Sequence, residues 1–222
     1  MPRCRISYWF LILALLIGSS ARSQSLNLIE NKGQWPEHVK GGVSIPSGQL
    51  FFQDHGIRYH VWDTKSIRTA HETGALQLPN DARTRGHVYE MTWLGSHAPE
   101  EPVWSEEQVT TYNYYLGNQP EHWASGCKSY KQCLLPNLYP DIDLKIYSQF
   151  AFMKYDFVVH PGGDPRHIQM RYEGAEDVRI ENGKIVIRTS TTEVWEQPPL
   201  SWQIIEGEKR AVSCAYVVLD KN

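Results

Sequence analysis

The 222-residue chain lacks the patterns from which membrane spans, common zinc sites and serine hydrolases are built. Its longest apolar run, Tyr8 to Ile17, is only about half of the roughly 20 residues that a transmembrane helix needs. The four cysteines and nine histidines show neither CxxC nor HxxxH spacing, which speaks against a zinc site. No G-x-S-x-G nucleophile elbow occurs either, so the usual hydrolase signature is missing.

The N-terminal residues have the composition of a secretory signal. Arg3 and Arg5 precede the apolar run, and small residues of the segment 18–23 follow it, as at a cleavage region. We therefore predict a signal peptide over residues 1–23 with cleavage after Ser23, and the alternative is a signal anchor that is not removed. The mature protein is expected to be secreted or to lie at the cell surface, reached through the periplasm, without a transmembrane anchor.

A basic surface is also missing from the predicted mature chain. Without residues 1–23 it has 19 basic and 25 acidic residues, a net charge of −6. The pairs Glu100-Glu101 and Glu106-Glu107 lie among aromatic residues, where a nucleic-acid surface would have lysine and arginine. We therefore expect no nucleic-acid partner.

Apolar residues alternate with a period of two, which is typical of strands. Runs of this kind include Ile57–Trp62, His87–Trp93, Lys154–Val159 and Val194–Glu196. No amphipathic helix of three turns is present, and the segment starting at Pro120 begins at most a single turn. The pattern predicts an all-β fold, an antiparallel β-sandwich with long loops and little helix, in a single domain over residues 24–222.

Turn signals separate the predicted strands. The clearest are Asn182-Gly183 and Glu206-Gly207, each between two apolar segments. Thr64 to Arg85 is polar and without sustained alternation, so it is interpreted as a long loop. Ala215–Leu219 has the pattern of a further strand close to the end of the chain, which favours the N-terminal module of a longer polypeptide.

The cysteines leave two possibilities open. Cys127, Cys133 and Cys214 remain after signal cleavage, an odd number that leaves at least one thiol unpaired within the chain. Cys127 and Cys133 flank five residues, a spacing compatible with a hairpin-like disulfide in an exported protein. Two buried apolar side chains would fit the same positions.

Asp141 and Asp143 are the only candidates for metal ligands that the sequence singles out. Standing two residues apart, they would share one face of a strand and could bind a calcium ion together with carbonyl oxygens. The run of oxygen ligands typical of an EF-hand loop is missing around them. No other cofactor is expected.

Aromatic residues are the feature most suggestive of binding. Tyr112, Tyr114, Tyr115 and Trp123 are interpreted as an irregular segment that could form a stacking platform for sugars. The alternative is that these rings fill the core of a sandwich. A glycosidase would also need two converging carboxylates, and no motif selects such a pair, so no catalytic residue is assigned.

Four segments in order carry a resemblance to a known family: Glu30–Pro36, Asn113–Asn118 with Trp123, Tyr139–Leu144, and Tyr155–Val159 with Pro161–Pro165. They resemble the successive signatures of the uncharacterised N-terminal domain (DUF7948) of large secreted Bacteroidota proteins, over nearly the whole mature chain. The resemblance implies later SBBP-type repeats, immunoglobulin-like or PKD modules, and a gliding-motility or type IX secretion sorting domain. The family pattern usually has glycine at Asp141 and apolar residues at Cys127 and Cys133, which favours the buried alternative for both cysteines.

Two functional hypotheses follow. The first is a non-enzymatic extracellular module of an exported surface protein, acting in adhesion, assembly or presentation of downstream domains. Its partners would be those domains, or a surface glycan or protein. The alternative is a carbohydrate-binding module that uses exposed aromatic rings, or a glycan-active hydrolase.

Overall fold

The structure is a computed structural model and describes residues 26–63, 85–98 and 100–219, without the side chain of His122. The predicted signal peptide and nearly all of the predicted long loop therefore lie outside the described residues. Within them the chain forms strands and two single-turn 3-10 helices, so the all-β prediction is confirmed. None of the described helices has the length and hydrophobicity to span a membrane.

The described strands are numbered in chain order. They are β1 (Leu28–Glu30), β2 (Val39–Ile45), β3 (Gly48–Gln53), β4 (Gly56–Trp62), β5 (Gly86–Trp93), β6 (Val103–Tyr114), β7 (Ala124–Tyr139), β8 (Ile142–Gln149), β9 (Phe152–Val159), β10 (Met170–Glu173), β11 (Asp177–Glu181), β12 (Lys184–Arg188), β13 (Glu193–Glu196), β14 (Ser201–Ile205) and β15 (Glu208–Val212). The 3-10 helices are Pro120–His122, between β6 and β7, and Pro165–His167, between β9 and β10.

Ten strands form one antiparallel sheet in which β7 has neighbours on both edges. Along one edge, Tyr130 pairs with Leu28 of β1, and farther on Cys133 pairs with Ile146 of β8. Strand β6 follows the other edge. One branch of the sheet, β1-β2-β3-β4-β5-β10, therefore leaves the first half of β7, and a second branch, β8-β9, leaves its second half.

One continuous core lies between these branches. Phe52, Met91 and Trp93 of the first branch belong to the same buried cluster as Leu144 and Ile146 of the second, so the sheet curls on itself. The three-stranded sheet β11-β12-β13 adds Ile185 and Ile187 to this cluster. The packing of one sheet on another gives the sandwich-like arrangement that the sequence predicts.

The predicted hairpin turns are present. Asn182 and Gly183 join β11 to β12 with φ values of 51° and 77°, the left-handed pair that a tight two-residue turn requires. Glu206 and Gly207 join β14 to β15 with 53° and 81°. The strand predicted at Ala215–Leu219 is wrong, because β15 ends at Val212 and the segment forms no ladder with any described strand.

Two consecutive glycines in β2 allow tryptophans to pack on both faces of the sheet. A Cβ atom at Gly41 would lie 2.5 Å from the Trp104 ring and 2.7 Å from the carbonyl oxygen of Ile29. A Cβ atom at Gly42 would lie 3.1 Å from the Trp35 ring. Because neighbouring residues of a strand point to opposite faces, each indole covers one of the two glycines.

Substitution of Gly41 by alanine should destabilise the fold. We expect Gly41→Ala to lower the free energy of unfolding by about 1–3 kcal/mol, the usual cost of overpacking, because the Ile29 carbonyl is fixed in the ladder. Urea denaturation followed by tryptophan fluorescence measures the change. Gly86→Ala is the matched control, since its Cβ atom would lie an ordinary 3.5 Å from the Val61 carbonyl oxygen. Equal losses in the two variants would contradict the packing argument.

Candidate functional site

The four aromatic residues predicted as a platform divide into two packed and two exposed ones. Tyr112 and Tyr114 lie on one face of β6 and pack on the small cluster that includes Cys127. The Tyr112 hydroxyl accepts a hydrogen bond from Asn27 at 3.0 Å. The ring centroids of Tyr114 and Trp35 are 5.3 Å apart, and burial raises the pKa of Tyr114 to about 12. The interpretation of these two tyrosines as part of an irregular segment is therefore wrong, because β6 continues through Tyr114.

Tyr115 and Trp123 are exposed and in contact with each other. Their accessible fractions are 62% and 43%, and the ring centroids are 5.6 Å apart with an interplanar angle of 85°. The Trp123 indole N–H donates to the Gly117 carbonyl at 3.4 Å. The rings form an edge-to-face pair rather than a coplanar platform. We call Tyr115, Leu116 and Trp123 the aromatic tip.

Asp141 and Asp143, the predicted calcium ligands, lie at the turn between β7 and β8. Both oxygens of Asp143 are engaged, because Oδ1 accepts the backbone N–H of Asn137 at 2.9 Å and Oδ2 lies 2.8 Å from His160 Nε2. Burial alone would raise the pKa of Asp143, but the hydrogen bonds from His160 and Asn137 and the charge of His160 lower it overall. Asn137 follows Pro136, where the β7–β8 ladder is irregular, so Asp143 satisfies a backbone donor there.

The part of the chain that the structure describes gathers no larger ligand cluster around this pair. Among the described residues no group of three or more histidine, cysteine, aspartate and glutamate side chains could hold a metal ion. The calcium hypothesis therefore rests on the two carboxylates of Asp141 and Asp143. The carboxylate of Asp143 already has a histidine and a backbone N–H as partners.

The hypothesis of a Cys127–Cys133 disulfide needs correction. Both residues lie in the single strand β7 and both are buried free thiols, whereas Cys214 is exposed. Six residues of extended chain span about 20 Å at roughly 3.3 Å per residue, and a disulfide requires Cα atoms within about 7 Å. Burial raises the pKa of the Cys133 thiol to about 12, which keeps it protonated.

A carboxylate that the sequence pattern does not single out lies between the two packed sheets. Glu196 of β13 faces the ten-stranded sheet, while its neighbour Trp195 faces outward with 59% of its surface accessible. The hydroxyl of Tyr172 donates to Glu196 Oε1 at 2.8 Å, and that of Tyr155 donates to Oε2. The residue is partly exposed, yet its carboxyl group is enclosed, and this burial raises the pKa of Glu196 although both hydroxyls oppose the shift.

More tyrosines surround this carboxylate. Tyr59 and Tyr89 stack with centroids 4.5 Å apart and an interplanar angle of 5°. Burial, followed by the negative charge of Glu196, raises the pKa of Tyr59, Tyr89 and Tyr155. These phenols therefore stay protonated. The cluster is a polar contact between the sheets, and its hydroxyls are suited to donating hydrogen bonds rather than to nucleophilic attack.

A second polar contact joins the same two sheets at His87. Its Nδ1 accepts the backbone N–H of Ser190 at 3.3 Å and lies 2.9 Å from Ser190 Oγ, while Nε2 lies 2.7 Å from the Gly174 carbonyl oxygen. Because a backbone N–H can only donate, Nδ1 is the acceptor and Nε2 carries the proton. A serine hydroxyl on an imidazole is also the geometry of an activated nucleophile. Here the bonds fix the β12–β13 turn to the start of β5.

Two shallow depressions are open to solvent. One, of about 390 Å³, lies beside Tyr139. The other, of about 230 Å³, lies beside Asp54 and Glu90, whose carboxylates form ion pairs with Lys40 and Arg58. Neither depression includes Glu196 or the Ser190–His87 pair.

We call β14 and β15 together with the residues around them, 200–219, the C-terminal hairpin. It carries a large apolar surface. In the described part of the chain, β14 and β15 pair only with each other. Lys209 Nζ lies 3.6 Å from the centroid of the Trp202 ring. The exposed apolar side chains of the hairpin are Leu200, Trp202, Ile204, Ile205, Val212, Val217, Val218 and Leu219.

A comparison with family models matches residues 28–222 to a domain of unknown function (DUF7948). The chain belongs to the DUF7948 family. No curated protein and no solved structure matches it. The match includes the aromatic tip, the Glu196 contact and the C-terminal hairpin, so all three are features of the DUF7948 domain in this chain.

The pattern of β13 explains why Glu196 could not be found from the sequence of the DUF7948 domain. Val194 and Trp195 are adjacent, so only one of them can face the core, and alternation does not tell which. The structure turns Val194 and Glu196, both partly buried, toward the core and leaves the larger Trp195 outside. The sequence does not show that Tyr155 and Tyr172 contact Glu196, because their strands approach β13 only in the tertiary fold.

The stability of the DUF7948 domain should depend on the protonation of Glu196. Its folded-state pKa lies above the ordinary value of 4.5, so the native state binds a proton more tightly than the unfolded state. The contribution is fully present below pH 4.5 and is lost as the pH rises through the raised pKa. We expect the difference in unfolding free energy between the unsubstituted domain and Glu196→Gln to fall over that interval in urea titrations.

Glu193→Gln is the matched control for this experiment, because Glu193 lies on the same strand and faces outward beside Arg179. The difference in unfolding free energy between the unsubstituted domain and Glu193→Gln should not fall with rising pH. If the unfolding free energy of Glu196→Gln changed with pH in parallel with that of the unsubstituted domain, the raised pKa of Glu196 would be refuted.

Thiol labelling should separate the three cysteines of the DUF7948 domain. We expect a maleimide to react with Cys214 in the native protein, and with Cys127 and Cys133 only after denaturation, because both are buried in β7. Mass spectrometry of the labelled peptides gives the occupancy of each thiol. A Cys127–Cys133 disulfide in the unreduced protein would contradict the structure.

Proposed function

We propose that this DUF7948 domain is a non-enzymatic extracellular module of an exported cell-surface protein, acting in adhesion, assembly or presentation of downstream domains. The observation that supports the proposal most is the exposed apolar surface of the C-terminal hairpin. The signal-like residues 1–23 support export through the periplasm. The excess of acidic over basic residues supports a partner other than nucleic acid.

The hairpin has two reasons to bind another β element. A single two-stranded hairpin is marginally stable in water, and its outer edges present unpaired backbone groups. Trp202 and Ile204 alternate on one face of β14, opposite Ala211 and Lys209 of β15, so a partner strand could pair with the edge while its apolar side chains cover these residues. The partner in this proposal is an extended strand with an apolar face in a downstream domain of the same polypeptide.

The family context supports the same role. We infer from the resemblance that the polypeptide belongs with the large Bacteroidota surface proteins of the SBBP-repeat, gliding-motility and type IX secretion class. In such an arrangement the DUF7948 domain is the folded N-terminal part, and its hairpin joins it to the domain that follows.

The distribution of ionisable groups supports a role without catalysis. Glu196 is enclosed by tyrosines, and Asp143 is held by His160 and by the backbone of Asn137. Both carboxylates are thus occupied with structural contacts, whereas a glycosidase needs two carboxylates that face each other across an open groove.

Cys214 provides a test of the docking role, because it is exposed and lies two residues beyond β15. We expect a maleimide to label Cys214 rapidly in the 222-residue chain. In the polypeptide exported by the native cells, labelling should be slower by about tenfold or more, since a covered thiol has no access to the reagent. Equal rates in the two proteins would sink the proposal.

A variant with Trp202→Ser and Ile204→Ser separates docking from simple crowding. Loss of the apolar face should restore fast labelling of Cys214 in the exported polypeptide. Phe152→Ser is the matched control, because Phe152 is an exposed apolar residue outside the hairpin. It should leave the slow rate unchanged.

A further inference from the structure

We propose that the aromatic tip binds a neutral glycan. This site lies apart from the C-terminal hairpin and goes beyond the assembly role proposed above. Its three side chains are apolar or amphipathic and open to solvent, with Leu116, which follows Tyr115 in the chain, exposed at 57%. Contiguous exposed apolar groups are typical of interaction surfaces, whereas single scattered ones need no explanation. The aromatic tip gathers such groups at one turn.

The rings of the tip are held in place without a ligand. Tyr115 and Trp123 restrain each other by their edge-to-face contact, and the Trp123 indole is tied to Gly117. Tyr114, next to Tyr115 in the chain, is anchored against Trp35 in the small cluster. Binding therefore orders few additional side chains, which lowers its entropic cost.

The base of the tip is held across the β6–β7 connection. Asn113 Oδ1 accepts the backbone N–H of Gly126 at 2.8 Å, and the backbone N–H of Trp123 donates to the Pro120 carbonyl at 3.0 Å. The first bond joins the two ends of the connection below the exposed rings, and the second closes the 3-10 turn within it. The tip is therefore a supported feature of the fold.

The polar groups beside the rings suit a sugar. Asn118 and Gln119 are exposed in the same turn, and their amides can both donate to and accept from hydroxyl groups. A pyranose presents an apolar C–H face and a rim of hydroxyls. Because the two rings are perpendicular, one of them can cover such a face, while the Tyr115 hydroxyl and the amides bind the rim.

The charge of this region disfavours anionic ligands. No lysine or arginine occurs between Arg85 and Lys128, whereas Glu106, Glu107 and Glu121 lie on β6 and in the turn. Lys32, from the N-terminal part of the chain, is engaged with the Ser125 carbonyl at 3.2 Å. A nucleic acid, an anionic lipid surface or a sulfated polysaccharide would need cationic partners here. The ligand class that fits the charge and the exposed rings best is an uncharged oligosaccharide.

The first experiment is a screen of the full chain, purified after export, on an array of neutral and acidic oligosaccharides, followed by titration calorimetry on the neutral glycans retained. We expect Trp123→Ala and Tyr115→Ala each to weaken binding by about tenfold or more, as truncation of a central aromatic contact does. Both residues are exposed, so the midpoint of thermal unfolding should stay close to that of the unsubstituted chain.

Trp195→Ala is the matched control, because Trp195 is also exposed but lies on the outer face of the three-stranded sheet. Its affinity should equal that of the unsubstituted chain. A blank array from folded protein, binding of acidic glycans alone, or an equal loss in Trp195→Ala would each overturn the proposal. None of these outcomes bears on the hairpin, whose test reads the labelling of Cys214.

Discussion

The architecture depends on the hydrogen bonding of β7 along both of its edges. Strand β7 has 16 residues, long enough for β1 and β8 to share one edge in succession while β6 occupies the other. The two branches of the sheet diverge from this strand and enclose the core between them. Pro136 removes one backbone donor within the strand, and the irregular ladder that results is completed by the Asp143 carboxylate on the N–H of Asn137.

The contact between the two packed sheets combines apolar burial with two polar anchors. Ile185 and Ile187 contribute to the main core, but apolar contacts alone would allow the small sheet to slide. A shift of β13 by one residue would expose Glu196 to the other side and bring Trp195 into the interior, leaving the hydroxyls of Tyr155 and Tyr172 without their acceptor. Enclosing a carboxyl group costs free energy. The resulting contact permits only one register of β13.

The parts of the fold that sequence reasoning predicted are those determined by local chemistry. Asn182-Gly183 specifies its turn by backbone conformation, and alternation defines β4 and β5. The unpredicted parts depend on distant strands. Tyr112 and Tyr114 alternate on one face of β6, but the cluster that covers them comes from distant residues, Cys127 of β7 and Trp35. Of the proposed platform only Tyr115 and Trp123, which lie outside β6 and β7, are exposed.

The short β1 has a consequence for how the molecule assembles. It contributes only three residues, yet it alone joins β2 to β7, and Glu30 accepts the backbone N–H of Lys128 from 98 positions away. Strands β6, β7 and β8 are neighbours in sequence and can form a meander early. The first branch must close a loop of about a hundred residues before β1 finds its partner, and non-local closure of this kind slows folding. During synthesis, the N-terminal strands therefore emerge first and complete their sheet last.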